Sequence, residues 1–273
     1  MSMRGSVVVV TGAARGIGRA IALAFASEGA TLALADILTD DLAETASMVA
    51  HAGGAALIAQ TDISDPADVA RFAERVHDEL GTPDILINNA GTFSVIAPVW
   101  EAEPSAWLRD VHTNLGGAFL TCHAFVGGMV AAGRGRVINV VSTGGVGDPH
   151  PHCTSYASSK AGLMRLTEGL AAETREHGVT VFAVAPPAVL THMTRFIMDD
   201  AGGRKWRPGF HSLFDEGRGT PPERVAQTML ALASGRADRL SGRYIRVTDD
   251  IDDLVARADE IERDDSLTLR IRG

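Results

Sequence analysis

The sequence predicts an α/β fold, a single doubly wound domain with a parallel sheet and helices on both faces. Three observations carry this. Short aliphatic and β-branched runs alternate with longer helical patterns along the chain. The runs are solidly apolar instead of alternating with polar residues, as expected of strands buried on both faces. The first run leads through a glycine-rich turn into a helix, the opening unit of a dinucleotide-binding sheet. The chain has 273 residues and is 45% apolar, enough for one sizeable core.

Strands are expected at Ser6–Val10, Thr31–Ala35, Ala55–Gln60, Ile85–Ile87, Val137–Val141, Thr180–Val184 and Tyr244–Val247. Helices are expected at Ile17–Ser27, Asp40–Ala50, Pro66–Leu80, Leu115–Ala132 and Ser158–His177. One domain covers 1–273, without linker, repeat or low-complexity stretch. Leu190–Thr220 reads as one long irregular region, rich in glycine and proline but also carrying Phe196, Ile197, Met198, Trp206, Phe210, Leu213 and Phe214. A loop of that length in a compact domain is usually functional, so 190–220 is expected to be a mobile substrate-binding flap, with a static subunit contact or a disordered surface insertion as the alternatives.

The formal net charge is −9, which disfavours nucleic acid and anionic lipid as partners. No run of about 18 apolar residues is apparent, so no membrane span is expected. Cys122 and Cys153 are too few for a disulfide framework, and a reducing cytoplasm is the expected setting.

Val7-Val8-Val9-Val10-Thr11 is followed by Gly12-Ala13-Ala14-Arg15-Gly16-Ile17-Gly18 and then an amphipathic helix. Glycines allow a tight turn and close approach to a pyrophosphate, whose charge suits the N–H groups at a helix start. Asp36 ends the second strand, where a carboxylate would accept hydrogen bonds from a ribose diol and repel a 2′-phosphate. Arg15 pulls the other way, since a cation there could receive that phosphate. Asp36 outweighs it because Ile37 supplies no second cation, so NAD(H) is expected over NADP(H).

Tyr156 and Lys160 are four residues apart and project from one helix face. A free phenol, with a pKa of about 10, is a poor base at neutral pH. A nearby ammonium favours the phenolate, and a hydroxyl from Ser142 could orient a substrate oxygen.

Thr11-Gly12-x-x-x-Gly16-x-Gly18, Asn88-Asn89-Ala90-Gly91, Ser142 and Tyr156-x-x-x-Lys160 resemble the short-chain dehydrogenase/reductase family, in its order and spacing, over about residues 5 to 246. The resemblance implies a Rossmann-type domain, a nicotinamide cofactor, an alcohol or ketone substrate and a homo-oligomer, a dimer or tetramer. It also implies roles. Asp62 and Ile63 match the adenine-pocket pair, and Asn89, Ala90 and Gly91 the segment beside the cofactor. Asn114 matches a catalytic asparagine that holds a water in a proton relay. Ser142 matches the catalytic serine, with Thr143 as the rival hydroxyl. Tyr156 would be the acid/base, and Lys160 would lower its pKa and hold the ribose. Thr191 and the backbone at Val189 fit the carboxamide contacts.

The pattern departs in two places. Pro187 stands where a glycine is usual, so the nicotinamide wall there is expected to differ in shape. The end reads Tyr244-Ile245-Arg246-Val247-Thr248-Asp249-Asp250 instead of Asp-Gly-Gly, followed by a charged helical pattern around Leu254–Glu262. Residues 249–273 are therefore an atypical C-terminal extension. His150-Pro151-His152-Cys153 lacks further ligands at zinc spacing, so no metal is expected and a rigid pocket loop is the reading. His192, Arg195 and His211 could face a substrate, and an apolar pocket is expected near Val95, Ile96, Val146, Phe196 and Phe210. The activity expected is hydride transfer between NAD(H) and an alcohol or ketone. The alternatives are an NADP(H)-dependent ketoreductase, an epimerase or dehydratase on the same fold, and a non-catalytic cofactor-sensing regulator.

Overall fold

The computed structural model describes residues 2–271; residues 1, 272 and 273 of the predicted domain and C-terminal extension lie outside them. Seven strands form one parallel sheet in the order β3-β2-β1-β4-β5-β6-β7. They are β1 Val7–Thr11, β2 Thr31–Asp36, β3 Ala55–Gln60, β4 Ile85–Asn88, β5 Gly135–Val140, β6 Val179–Ala185 and β7 Tyr244–Arg246. All seven predicted strands occur, with ends shifted by one or two residues.

The sheet is buried on both faces because successive side chains point to opposite sides. Val8, Val10, Leu32, Leu34, Ile87 and Val184 enter one core; Val9, Ala33, Leu57, Leu86, Val137 and Val181 enter the other. The first core is covered by α1 (Gly16–Ser27) and α10 (Pro222–Ala233), the second by α3 (Pro66–Leu80) and α5 (Ala118–Ala132). Helix α2 (Thr39–His51) adds Leu42 and Val49 to the first. Both cores need apolar residues at adjacent strand positions, which explains the unbroken Val7–Val10 run.

Helices α4 (Pro104–Val111) and α10 are not among the predicted ones. The predicted helix at Leu115 begins earlier, with α4 running through a π-helical stretch, His112–Gly117, into α5. This corrects the expectation about span-length apolar segments: Pro104–Ala132 is long and apolar enough to cross a membrane by length and composition. In the fold, α5 instead turns Cys122, Phe125 and Met129 onto the sheet.

The segment 190–220 is not irregular. It forms α7 (His192–Asp199), α8 (Ala201–Trp206), a 3₁₀ turn at Pro208–Phe210 and α9 (Ser212–Asp215). Thr191 and Thr194 make a reciprocal capping box at the start of α7, and the Asp200 carboxylate caps α8 by accepting from the Gly202 and Gly203 N–H groups. Those two glycines serve close packing. A Cβ on Gly202 would lie 2.1 Å from the Ile96 carbonyl oxygen, and one on Gly203 would lie 1.7 Å from that of Ile197.

The C-terminal segment folds back as α11 (Ile251–Ala256) and α12 (Ala258–Arg263). Ile251, Leu254, Ala258 and Ile261 join the first core. The chain then returns along β7 and α6 (Thr154–Thr174), with the Tyr244 N–H donating to the Leu267 carbonyl and the Leu269 N–H to Glu168.

Strand order reverses between β1 and β4. Beyond the carboxyl ends of these neighbours the chains diverge to opposite sides, leaving a crevice where ligands bind in open α/β sheets.

Candidate active site

A cavity of about 980 Å³ opens in that crevice. It is lined by Gly12, Arg15, Gly16, Ile17, Gly18, Asp36, Asp62, Ile63, Asn89, Ala90, Gly91, Ser142, Tyr156, Lys160, Val189 and Thr191. Asn114 lies behind the wall, buried.

The floor is the turn after β1. Gly12 and Gly16 have φ of +65° and +57°, a conformation that favours glycine. A Cβ on Gly18 would lie 2.0 Å from the Gly12 carbonyl oxygen, so no larger residue fits. Asn89 fixes this turn: its side-chain amide donates to the Thr11 and Gly12 carbonyls, 3.0 Å each. The Thr11 hydroxyl accepts from the Asn89 and Ala90 N–H groups, 3.1 Å each. The Asn-Ala-Gly segment is thus built into the turn it faces.

Asp36 is held at one end. Its carboxylate accepts from the Ala14 N–H at 2.9 Å and the Leu38 N–H at 3.1 Å. Arg15 is half-exposed and meets Asp41 at 4.0 Å. Asp62 accepts from the Ser64 N–H and hydroxyl, and Ile63 packs against Gly117.

Tyr156 and Lys160 stand on α6, which begins at Thr154, four residues earlier than predicted. The Tyr156 ring stacks on Phe93, centroids 4.6 Å apart. Burial raises the phenol above its ordinary value of 10.0, and the hydrogen bond from Ser142 opposes this. Ser142 lies at the end of β5 and its hydroxyl also accepts from the Gly144 N–H. The rival Thr143 is the more exposed of the two.

Lys160 stands beside Tyr156 on the same helix. Its ammonium is buried and donates to the Val140 carbonyl at 2.7 Å, 5.8 Å from the Tyr156 ring centroid. Burial pulls it down to about 8. The phenol is raised because its own desolvation outweighs the Ser142 hydrogen bond, with the charges of Asp110 and Cys153 adding to the rise.

The side chain of Asn114 is fully engaged. Its oxygen accepts from the Thr92 N–H at 2.7 Å, and its amide donates to the Thr92 carbonyl and the Ser159 hydroxyl. It anchors the strand-end segment above the sheet from within the π-helical stretch, an irregularity common at functional sites.

Several residues were missed by sequence reasoning. The buried Asp110 accepts from the Ser94 N–H and the Thr92 and Ser155 hydroxyls, joining α4, α6 and the Thr92–Ser94 segment. The unpredicted α4 left no signal for it. The Thr194 hydroxyl donates to the Val189 carbonyl and ties the nicotinamide-side loop to α7. The predicted apolar pocket also needs correction. Val95, Ile96, Val146 and Phe196 do not line the cavity; Phe210 does, with Phe93, Met193, Ile197 and Leu213. Val95 and Ile96 turn into the interior instead, and Phe196 is on the outer face of α7. Pro187 and His192 line the cavity, whereas Arg195 and His211 do not. His150 also lines it, while His152 stacks on Trp206 at 4.2 Å. Among the described residues no cluster suited to a metal occurs.

The glycine cradle, the carboxylate at the end of β2 and the continuous cavity to Tyr156 suit a dinucleotide. A family model described as short chain dehydrogenase matches residues 6–202. The cis-4-hydroxycyclohexanecarboxylate dehydrogenase of Sinomonas cyclohexanicum is 35% identical over 88% of this chain and 94% of its own. The 3-oxoacyl-acyl-carrier-protein reductase FabG of Escherichia coli is 33% identical over 90% and 97%. The crystal structure of levodione reductase superposes with a TM-score of 0.82 at 28% identity, covering 89% of this chain and 96% of that one.

Proposed function

This chain belongs to the short-chain dehydrogenase/reductase family, and on that premise we propose that it is an NAD(H)-dependent alcohol dehydrogenase or ketone reductase. The observation that carries the reading is the joint lining of one cavity by Ser142, Tyr156, Lys160, the glycine turn and Asp36. A regulator that merely sensed a cofactor would have no need of the first three together. Relatives whose names specify a hydroxyl-bearing ring and an oxoacyl group support an oxygen-bearing carbon as the reacting centre.

The nicotinamide group supplies hydride transfer when bound. Gly12, Gly16 and Gly18 admit the pyrophosphate against the start of α1, and Asp36 takes the adenosine ribose. Asp62 and Ile63 flank the adenine, while Val189 and Thr191 face the carboxamide. Lys160 holds the second ribose. Ser142 donates to the substrate oxygen and holds it beside the Tyr156 hydroxyl. Tyr156 takes the alcohol proton during oxidation and returns it to the carbonyl oxygen during reduction. Asn114 fixes the backbone at Thr92 and would support the proton relay. Helices α7 to α9 close over the substrate and exclude water.

The choice of NAD(H) rests on Asp36. We expect kcat/KM to favour NAD(H) over NADP(H) by at least about tenfold, about 1.4 kcal/mol, with Asp36→Ala narrowing the gap. Measuring both cofactors against a panel of alcohols, by absorbance of the reduced nicotinamide, tests this. An NADP(H) preference would favour the second reading, in which the loosely held Arg15 receives the 2′-phosphate.

A homo-oligomer, dimer or tetramer, is also proposed. Trp100 just before α4, Leu108 on α4 and Phe119 on α5 are exposed, Trp100 by 85%, and large exposed apolar groups of this kind mark contact surfaces. A monomer in sedimentation at micromolar concentration would contradict it. The buried, unbridged Cys122 and Cys153 suit a reducing compartment; fractionation outside the cytoplasm would argue against that setting.

A further inference from the structure

The cavity's charge is unevenly distributed. Although the chain carries a net charge of −9, the carboxylates lining the cavity are Asp36 and Asp62, both at the adenosine end. Around Tyr156 the lining has no carboxylate among the described residues. The rest of the lining instead carries His150, His192, Arg109, Arg207 and Arg218, the last paired with Glu216.

Arg207 is the distinctive one. It follows α8 and is only partly exposed. Its guanidinium donates to the Cys153 sulfur at 3.2 Å and lies over the Phe210 ring, 5.5 Å from its centroid. It has no carboxylate partner among the described residues. A guanidinium keeps its charge at any ordinary pH, and a planar fork so fixed suits a carboxylate. Holding it beside a thiol and an aromatic ring, with no counter-charge, leaves much of its donor capacity unused.

Its place relative to the chemistry is set by α6. Cys153 is the N-cap of that helix and Tyr156 lies three residues on, about one helical turn. The walls here are apolar: Tyr156 and Phe210 both pack against the cluster that holds Phe93 and Ile197.

We propose that Arg207 is a specificity-determining residue that binds a carboxylate on the substrate, so that the enzyme acts on a hydroxy acid or oxo acid. A short apolar spacer separates the two groups of that substrate. The spacer lies against Phe93 and Ile197 while the reacting oxygen meets Ser142 and Tyr156. This rests on the oxidoreductase reading above but concerns only the far end of the substrate.

The test uses the full chain saturated with NAD(H). Cyclohexanecarboxylate and its methyl ester are titrated by calorimetry, and a hydroxycyclohexane carboxylate and its methyl ester are compared as substrates. The acid should bind about tenfold to a hundredfold more tightly than the ester, the range of a charge-assisted hydrogen bond pair. Arg207→Gln should remove that difference, mainly through KM, while turnover and melting temperature with the ester stay near wild type. Arg207→Lys should recover part of the preference. Equal binding of acid and ester by the wild type, no binding of the acid at millimolar concentration, or equal losses for both in Arg207→Gln would each overturn the proposal. A preserved acid preference without turnover of any alcohol would instead count against the oxidoreductase reading and leave the anion site standing.

Discussion

Lys160 shows how the site's chemistry conflicts with folding. A buried ammonium held at about 8, against an ordinary 10.5, is costly. The unfolded chain binds its proton more tightly, so this group destabilises the fold by about 3 kcal/mol below pH 8. The penalty fades as pH rises from about 8 towards 10.5. Lys160→Met should therefore be more stable than wild type at pH 7 by about 1–2 kcal/mol, part of the gain being offset by the lost bond to the Val140 carbonyl. That gain should shrink by pH 10. Urea unfolding at the two pH values reads it, and a difference independent of pH would show that the lysine is not strained in this way. Tyr156 titrates in the other sense: burial disfavours its phenolate, so oxidation should accelerate as pH rises through the alkaline range.

At the scale of elements, the strands were readable in the sequence and the 190–220 segment was not. Consecutive valines and leucines state burial on both faces directly. Glycine has no such single meaning. Gly202 and Gly203 suggest flexibility in the sequence, but in α8 they make room for the carbonyls of Ile96 and Ile197, contacts that only the tertiary structure defines. Likewise, the capping pair Thr191–Thr194 is visible in the sequence only once a helix is assumed to follow. The segment is thus a set of short helices over the cavity, α7 and α8 among them capped, and not a loose loop. Hydrogen exchange should show α7 to α9 gaining protection only with NAD(H) and substrate together. Protection already complete without ligands would mean a static contact, and fast exchange in both states would mean no closure at all.

Across the whole molecule, the motif residues were legible because their chemistry depends on local spacing, while their supports were not because these come from distant elements. Tyr156 and Lys160 are four apart in any helix. Asp110, which joins α4 to Ser155 and to the Thr92–Ser94 segment, has no local signature. The raised Tyr156 phenol was also beyond the sequence, since it follows from how deeply the folded chain buries that ring. The C-terminal helices are a similar case: their charged surface reads as an extension, but Ile251, Leu254 and Ile261 belong to the main core. The fold thereby gathers a glycine turn from the first strand, a carboxylate from the second and an acid/base pair from α6 at one crevice.

The central claim is that this assembly transfers hydride with Tyr156 as the acid/base, and Tyr156→Phe tests it most directly. The substitution keeps the ring stacked on Phe93 and removes only the hydroxyl. Turnover of an alcohol that the wild type oxidises should fall by at least about a thousandfold, while NAD(H) binding, measured by fluorescence titration, changes less than about threefold. Substantial remaining turnover with cofactor binding intact would contradict the assignment.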